Sequence, residues 1–369
     1  PGMADLGKVD REFFETHIYP NLGADREDVA LGPRHGVDFG IVDLGSMARR
    51  TEADGVVDSG PTTGRAESDD AGSSGPVVAL ATDPLSLTPG LGFERAAWFA
   101  VHVVLSDVAV SGLAPTHLAV DFNLPPEMTD EEFAVVWETF DRELRRFDVS
   151  VVTGHTARYA DCRYPWVGGA TTLAVGDAAD LVRPDGARPG DRLLVTKGPA
   201  VEAAGFMITL FEDQVDLPEA TVETAKERFY DMSPVEDALI AAAAGDVSAM
   251  HDATEGGVHG ALVEMARAAG VRIDVDRDAI PVLPGVREAC EFFDVDPWAS
   301  TSEGTLLATV APADAPDVLA ALDDAGIPAA DAGEVGEGEG VYVDGDRIEH
   351  PEVDPFWGTF EEYMGRLEA

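Results

Sequence analysis

The first group of residues able to do chemistry is a heptad, His251-Asp252-Ala253-Thr254-Glu255-Gly256-Gly257, followed by the apolar-periodic run 258–269. Glycines let a backbone approach a ligand closely, and the start of a helix offers free N–H groups to an anion. Carboxylates beside a phosphate require a divalent cation between the negative groups. The heptad therefore predicts a metal and phosphate corner. The alternative is a plain helix cap, in which Asp252 or Thr254 caps the first turn.

Further acidic residues end predicted strands or interrupt apolar segments. Asp38 and Asp83 stand where a strand ends, and an isolated aspartate there is usually a turn former. Asp107 is different, because it interrupts the apolar helical segment 93–112. A buried carboxylate costs several kcal/mol unless it is paired or bound to a metal. Asp107 therefore either pairs with a buried donor such as His102 or takes part in a site.

Several common site motifs are absent from the sequence. It holds no Walker motif, no G-x-G-x-x-G in a suitable place, no G-x-S-x-G and no H-E-x-x-H. The glycine-rich stretch 333–340 is acidic and would repel phosphate, so we interpret it as a loop. The scattered histidines are more typical of structural positions than of a zinc site.

The charge balance is strongly acidic. Asp and Glu number 70 against 25 Lys and Arg, a net charge of −45, while 45% of the residues are hydrophobic. This combination favours a folded protein of a high-salt cytoplasm, where charges are screened over only about 3 Å at molar salt. No basic stripe is present to neutralise nucleic-acid phosphates. No apolar run reaches the roughly 18 residues of a membrane span, and no secretion signal is recognisable at the start.

Strands and helices alternate without a strict βαβ rhythm, which favours an α+β fold with helices packed on mixed sheets. Residues 45–76 are low in complexity and predict a mobile loop. The clearest elements are helices at 93–112, 129–147 (with a Thr129 cap) and 258–269, strands at 116–124 and 149–153, and a hairpin at 340–348 with an Asp-Gly turn.

The order of six short motifs resembles the AIR synthase-related superfamily, which includes aminoimidazole ribonucleotide synthetase, thiamine-monophosphate kinase, selenophosphate synthetase and the hydrogenase-maturation protein HypE. The chain looks most like archaeal HypE-like proteins. The motifs are Thr82-Asp83-Pro84, the run 106–115, Thr153-Gly154-His155-Thr156, Thr196-Lys197-Gly198, the heptad 251–257 and Ser302-Glu303-Gly304.

The resemblance implies two domains, 1–175 and 176–369. The first would be ferredoxin-like and would form a homodimer through sheet contacts that build a barrel. ATP would lie in the cleft between the domains, with Mg²⁺ held by aspartates. The metal residues implied are Asp38, Asp83 and Asp252. The nucleotide-binding residues implied are Asp83, Asp107, Lys197, Gly198, Thr254, Gly256, Gly257 and Lys8. The catalytic residues implied are Asp252, Glu255 and His155. For the two lysines, an ordinary surface or strand-end position is the alternative.

The implied activity is ATP-dependent activation of an oxygen of a small metabolite by phosphoryl transfer. One alternative is a thiamine-monophosphate-kinase-like enzyme, and another is a non-catalytic nucleotide-binding scaffold. Two departures favour the scaffold. His155 stands where many members carry an acidic residue, and histidine is a poor Mg²⁺ ligand. The segment 365–369 holds no cysteine, so we expect no carbamoyl-to-cyanide chemistry on the chain's own tail.

Overall fold

The structure is a computed structural model, and it describes residues 15–16, 28–32, 39–45 and 75–367. Lys8 and Asp38 lie outside the described residues, and so does nearly all of the loop predicted over 45–76. These predictions therefore stay predictions.

The first half of the chain builds a six-stranded sheet. Its strands are β1 (Val29–Leu31), β2 (Gly40–Asp43), β3 (Pro76–Ser86), β4 (His117–Leu124), β5 (Ser150–Arg158) and β6 (Trp166–Asp177). They lie in the order β1-β2-β3-β6-β4-β5, and only β4 and β5 pair in parallel. Helix α1 (Phe93–Ala109) packs on β3 and β6 and against helix α2 (Asp130–Arg146).

Both helices follow from local sequence. Thr129 and Glu132 form a capping box at the start of α2, and Arg145 and Arg146 in its last turn suit the helix dipole. Helix α1 is apolar and largely buried, so it carries the polar residues His102 and Ser106 into the interior. The helices predicted at 93–112 and 129–147 are thus confirmed, with ends at Ala109 and Arg146.

The α+β architecture is confirmed, but the connectivity of the first domain differs from a ferredoxin-like domain. From β3 onward its succession is strand, helix, strand, helix, strand, strand. A ferredoxin-like domain has two strands between its two helices. Here α2 forms the crossover between β4 and β5, and this crossover explains why these two strands pair in parallel.

The second half builds a seven-stranded sheet. Its strands are β7 (Arg192–Thr196), β8 (Val247–Asp252), β9 (Arg272–Val275), β10 (Leu306–Val310), β11 (Ala329–Gly336), β12 (Gly340–Val343) and β13 (Asp346–Ile348). Their order is β13-β12-β9-β11-β7-β10-β8. Asp252, the last residue of β8, pairs with Leu306, the first residue of β10. This pairing brings the end of β8 beside the loop that precedes β10.

The prediction of a loop over 333–340 is wrong for its first part, since Gly333 to Gly336 lie in strand β11. A Cβ at Gly333 would stand 2.1 Å from the Asp274 carbonyl oxygen, so this glycine permits a close approach of β9. The Asp-Gly hairpin is confirmed: Val343 pairs with Asp346, and Asp344 and Gly345 both have positive φ.

The second half also holds seven α-helices among its described residues. They are α3 (Val201–Leu210), α4 (Glu219–Glu227), α5 (Val235–Ala244), α6 (Gly257–Ala269), α7 (Val286–Phe293), α8 (Ala315–Asp324) and α9 (Pro355–Leu367). Of these, α5, α6 and α8 pack on strands of this sheet, and α5 also packs on α1. Ala238 and Ala241 of α5 belong to the same apolar core as Val101 and Val104 of α1. The two halves therefore share a core along α1. No helix of the described ranges is long and apolar enough to cross a membrane.

Candidate functional site

The site is centred on Asp252 at the end of the wholly buried strand β8. The Asp252 side chain is 1% exposed, and among the described residues neither of its oxygens accepts a hydrogen bond. The His251 imidazole lies beside it, with Nδ1 3.8 Å from Oδ1. A buried carboxylate without hydrogen bonds costs several kcal/mol, so this one marks a position built for a cation or a ligand.

The loop after Asp252 turns through two glycines into α6. Gly256 and Gly257 have φ of 79° and 59°, and a Cβ at Gly257 would stand 2.5 Å from the Ser300 carbonyl oxygen. The first turn of α6 carries no side-chain cap. The alternative of a cap by Asp252 or Thr254 is therefore wrong.

The two N–H groups of the glycine pair already have partners in the protein. Gly256 N–H donates to Asp354 Oδ2 at 2.9 Å, and Gly257 N–H donates to the Thr254 carbonyl at 2.9 Å. In this conformation neither N–H is available to an anion. A phosphate contact by the two glycines stays a prediction, and it would require Asp354 to move.

Glu303 is the second buried acid of the site. It lies in the loop before β10 and is 3% exposed. Burial raises the pKa of Glu303 well above its usual value, and the charges of Asp252, Glu202 and Asp83 raise it further. Asp83 of β3 in the first half thus lies near enough to act on a carboxyl of the second half.

Ser106 of α1 joins Glu303 across the same junction. Its Oγ lies 2.8 Å from Glu303 Oε1 and 2.8 Å from the His102 carbonyl. A hydroxyl has one proton to give. If Ser106 donates to the carbonyl, Glu303 must donate to Ser106, and this matches a carboxyl held protonated by burial. Asp107, next to Ser106, is half-buried.

A third acid, Glu202 in the first turn of α3, holds the loop that carries Glu303. It accepts hydrogen bonds from Thr301 Oγ1 and from the Glu303 N–H, the latter at 3.1 Å. Burial raises the pKa of Glu202 to about 7, and the charges of Asp354 and Glu255 act in the same direction. Glu255, one of the predicted catalytic residues, is half-buried. It belongs to this acidic region because its charge acts on Glu202.

Lys197 and Gly198 contribute structure in this conformation. Lys197 Nζ lies 3.0 Å from Asp237 Oδ1 and donates to the carbonyls of Ser233 and Gly304 at 2.7 and 3.1 Å. Its three N–H donors therefore have three acceptors. A Cβ at Gly198 would stand 1.7 Å from the Pro281 carbonyl oxygen, so close backbone packing requires this glycine. The predicted anion contact of the pair stays a prediction.

His155 lies apart from these groups. It is exposed on β5, at the edge of the first sheet, and its Nε2 is 3.0 Å from the Tyr159 hydroxyl. Through the strand registers it shares a rung with Asp121, Gly169 and Pro84. Three strand spacings of about 4.8 Å place it roughly 14 Å from β3. Within one chain, His155 therefore does not join the site.

A metal site formed by protein side chains alone is not present in the part of the chain that the structure describes. There, no three His, Cys, Asp or Glu side chains are close enough together to hold a metal ion. Of the predicted metal residues, Asp83 and Asp252 are both described.

The sequence did not identify Glu202 and Asp354 as site residues, and it named Glu303 only as part of a motif. An acid in the first turn of a helix, such as Glu202, is typical of a surface position that suits the helix dipole. Asp354, just before α9, has the pattern of an ordinary cap. Only the long-range contacts bring both residues to the site.

Comparison with known proteins follows the two halves of the chain. Residues 68–176 match the family model of the AIR synthase related protein, N-terminal domain, and residues 188–346 match that of the C-terminal domain. The carbamoyl dehydratase HypE of Bradyrhizobium diazoefficiens is 30% identical over 248 residues, which are 64% of this chain and 67% of that protein. A putative hydrogenase expression/formation protein of Methanocaldococcus jannaschii is 24% identical over 60% of this chain and 64% of its own length. The chain thus spans about two thirds of the length of these relatives.

Several solved structures have a similar fold. E. coli HypE has a TM-score of 0.65 at 28% identity, over 75% of this chain and 87% of that one. HypE in complex with ATP has a TM-score of 0.61 at 23% identity, over 80% and 90%. The thiamine monophosphate kinase of Aquifex aeolicus has a TM-score of 0.59 at 20% identity, over 83% and 97%. The last two likenesses show the fold alone.

Proposed function

We propose that this chain, which belongs to the AIR synthase related family through both of its domains, is an ATP- and Mg²⁺-dependent enzyme that activates an oxygen of a small metabolite by phosphoryl transfer. The observation that carries the proposal is the buried Asp252 carboxylate, which has no hydrogen-bond partner among the described residues. A HypE of the same fold has been solved in complex with ATP, so ATP is the nucleotide to test first.

The chemistry of the site fits Mg²⁺ together with a polyphosphate. Mg²⁺ in nucleotide sites usually takes one or two protein carboxylates and completes its shell with waters and phosphate oxygens. The lack of a three-residue metal group in the described part of the chain is compatible with that use. Asp252 offers two oxygens, and Asp83 and Asp38 are the other residues that would hold the ion. When bound, Mg²⁺ would neutralise charge on the transferring phosphoryl group.

Glu303 is the group of this chain best suited to move a proton. A carboxyl with a raised pKa is a stronger base once ionised, so Glu303 can take the proton that the acceptor oxygen loses as it attacks the phosphoryl group and ADP leaves. Ser106 orients one carboxyl oxygen, and Glu202 holds the Glu303 N–H. We assign the positioning of Glu303 to these two residues. Glu255 remains a candidate catalytic residue only because it lies in the acidic region around Glu202.

One observation favours the second candidate, a non-catalytic nucleotide-binding scaffold. Three features predicted to contact the phosphates, the Lys197 ammonium and the N–H groups of Gly256 and Gly257, are all hydrogen-bonded within the protein. A thiamine-monophosphate-kinase-like activity is supported only by likeness of fold.

Calorimetry with ATP and Mg²⁺ in molar KCl tests the proposal. The wild type should bind ATP, and the Asp252→Asn variant should not. Absence of binding by the wild type would overturn the nucleotide proposal. Binding without ATP turnover over a panel of small hydroxyl, amide and phosphate acceptors would favour the scaffold.

A homodimer formed through the first sheet is part of the proposal. Edge strand β5 is exposed along nearly its whole length. Val152, Trp166 and Val175 of this sheet are 56%, 55% and 48% exposed. An exposed edge and exposed apolar side chains are typical of a surface that pairs with another chain. Light scattering in molar KCl should report about twice the chain mass of 38.9 kDa, and Val152→Asp should lower that mass; a monomeric wild type refutes this part.

A further inference from the structure

Asp354 joins the C-terminal part of the chain to the candidate site. It lies just before α9 and is 8% exposed. Its Oδ1 accepts the Phe356 N–H at 2.9 Å, as an ordinary helix cap does. Its Oδ2 accepts the Gly256 N–H at 2.9 Å, and the Thr301 backbone lies near the same carboxylate.

The two latter contacts belong to different loops of the site. Gly256 lies in the loop that starts at Asp252, and Thr301 lies two residues before Glu303. One carboxylate therefore lies between the loops that carry the two buried acids, bonded to the first and close to the second. The loops also touch directly, since the Ala253 N–H donates to the Thr305 carbonyl at 2.9 Å. Asp354 adds a contact at the opposite end of each loop.

The segment before Asp354 is anchored on the same elements. The His350 ring lies over Gly256 and over Gly260 of α6, so closely that a Cβ at either glycine would stand 3.3 Å from it. His350 Nδ1–H donates to the Pro351 carbonyl at 2.8 Å, and Nε2 lies 3.6 Å from Glu264. The other Glu264 oxygen lies 3.2 Å from Nε2 of His251, the neighbour of Asp252. The segment 350–354 is thus held at both ends against the loop of Asp252.

We propose that Asp354 is a positioning residue, which sets the placement of the Asp252 loop relative to the Glu303 loop. The expected effect of Asp354 on ATP affinity rests on the proposed function, whereas its effect on the placement of the two loops does not. Removal of the carboxylate leaves the N–H groups of Gly256 and Phe356 without their acceptor, so the loop of Asp252 loses its anchor on the start of α9 and its fixed place beside the Glu303 loop. A shift of about 1 Å in a reacting group can cost about a hundred-fold in rate, and the same logic applies to a bound polyphosphate.

The test compares three variants of the full chain. Asp354→Ala removes the acceptor. Asp354→Asn keeps a side-chain oxygen that can accept the Gly256 N–H. Asp177→Ala is the matched control, because Asp177 also accepts two backbone N–H groups, those of Gly75 and Ala179, at the far end of the first sheet. We would measure the Kd for ATP with Mg²⁺ in molar KCl by calorimetry, and amide hydrogen exchange of the ligand-free proteins.

The Kd for ATP should rise about ten- to a hundred-fold in Asp354→Ala, recover most of that loss in Asp354→Asn and stay unchanged in Asp177→Ala. Exchange should become faster in 252–257 and 300–305 of Asp354→Ala only. Unchanged or tighter ATP binding by Asp354→Ala would overturn the proposal, as would an equal loss in Asp177→Ala. If the wild type itself does not bind ATP, the proposed function fails. Hydrogen exchange then decides on Asp354: faster exchange in both loops supports the positioning, and unchanged exchange overturns it.

Discussion

Asp252→Asn should stabilise the protein while it abolishes ATP binding. Asparagine keeps the shape of the side chain and removes its charge. The Asp252 carboxylate is 1% exposed, and neither oxygen accepts a hydrogen bond from the described residues. Burial of such a charge costs several kcal/mol, whereas an unsatisfied neutral amide costs about 1–3 kcal/mol. The substitution also removes a negative charge that acts on Glu303.

We therefore expect a gain of about 1–3 kcal/mol in the free energy of unfolding, which corresponds to a rise of roughly 1–4 °C in the thermal midpoint for a chain of this size. Thermal unfolding in molar KCl without nucleotide measures it. The gain should disappear once ATP and Mg²⁺ are added, because only the wild type would then be stabilised by a ligand.

The control is Asp121→Asn, which removes the same single charge from a chain of net charge −45. The Asp121 carboxylate already accepts a hydrogen bond from Asn123 Nδ2 at 2.7 Å. Relief of general self-repulsion would appear equally in both variants, so only the excess gain of Asp252→Asn counts. A variant that is no more stable than Asp121→Asn, or that still binds ATP, would refute the assignment of Asp252 as a strained ligand.

Three further substitutions test two other buried groups of the second half, the Lys197–Asp237 ion pair and Glu202. Lys197→Met should lower the free energy of unfolding by about 3–5 kcal/mol because it leaves the buried Asp237 carboxylate without its cationic partner. Addition of Asp237→Asn should recover part of this loss in urea unfolding, and a stable Lys197→Met protein that fails to bind ATP would instead favour the anion contact. The pKa of Glu202 is raised from 4.5 to about 7 by burial, so the folded state binds this proton more tightly than the unfolded state. Stability should then fall by up to about 3 kcal/mol as pH rises from 4.5 to about 7. Glu202→Gln should remove that decline, and an unchanged pH profile would contradict it.

Local features of the sequence were enough to predict several elements. The capping box at Thr129 and the Asp-Gly hairpin are set by neighbouring residues, so their positions follow from short patterns. The loop prediction for 333–340 was partly wrong for the opposite reason. Gly333 is needed because strand β9 approaches it, and no nearby residue shows that approach.

The candidate site likewise has a part that the sequence predicted and a part that depends on the fold. The sequence indicated Asp83 and Asp252, because each lies in a motif of the family. Asp252 does end strand β8, but the expected strand end at Asp83 is wrong, since β3 continues to Ser86. The sequence could not show that Lys197 is fully bonded within the protein, or that His155 lies on an exposed edge strand. Those facts depend on which strands become neighbours.

By itself, the sequence determined the family and the α+β layers, and it predicted the heptad at 251–257 as the centre of the candidate site. Only the tertiary structure decided what surrounds that heptad. Glu303 meets Ser106 across 197 positions, and Gly256 meets Asp354 across 98. Contacts over such separations arise from packing of the whole chain and leave no periodic or spacing pattern. For this reason the acids that position Asp252 and Glu303 could be found only in the folded molecule.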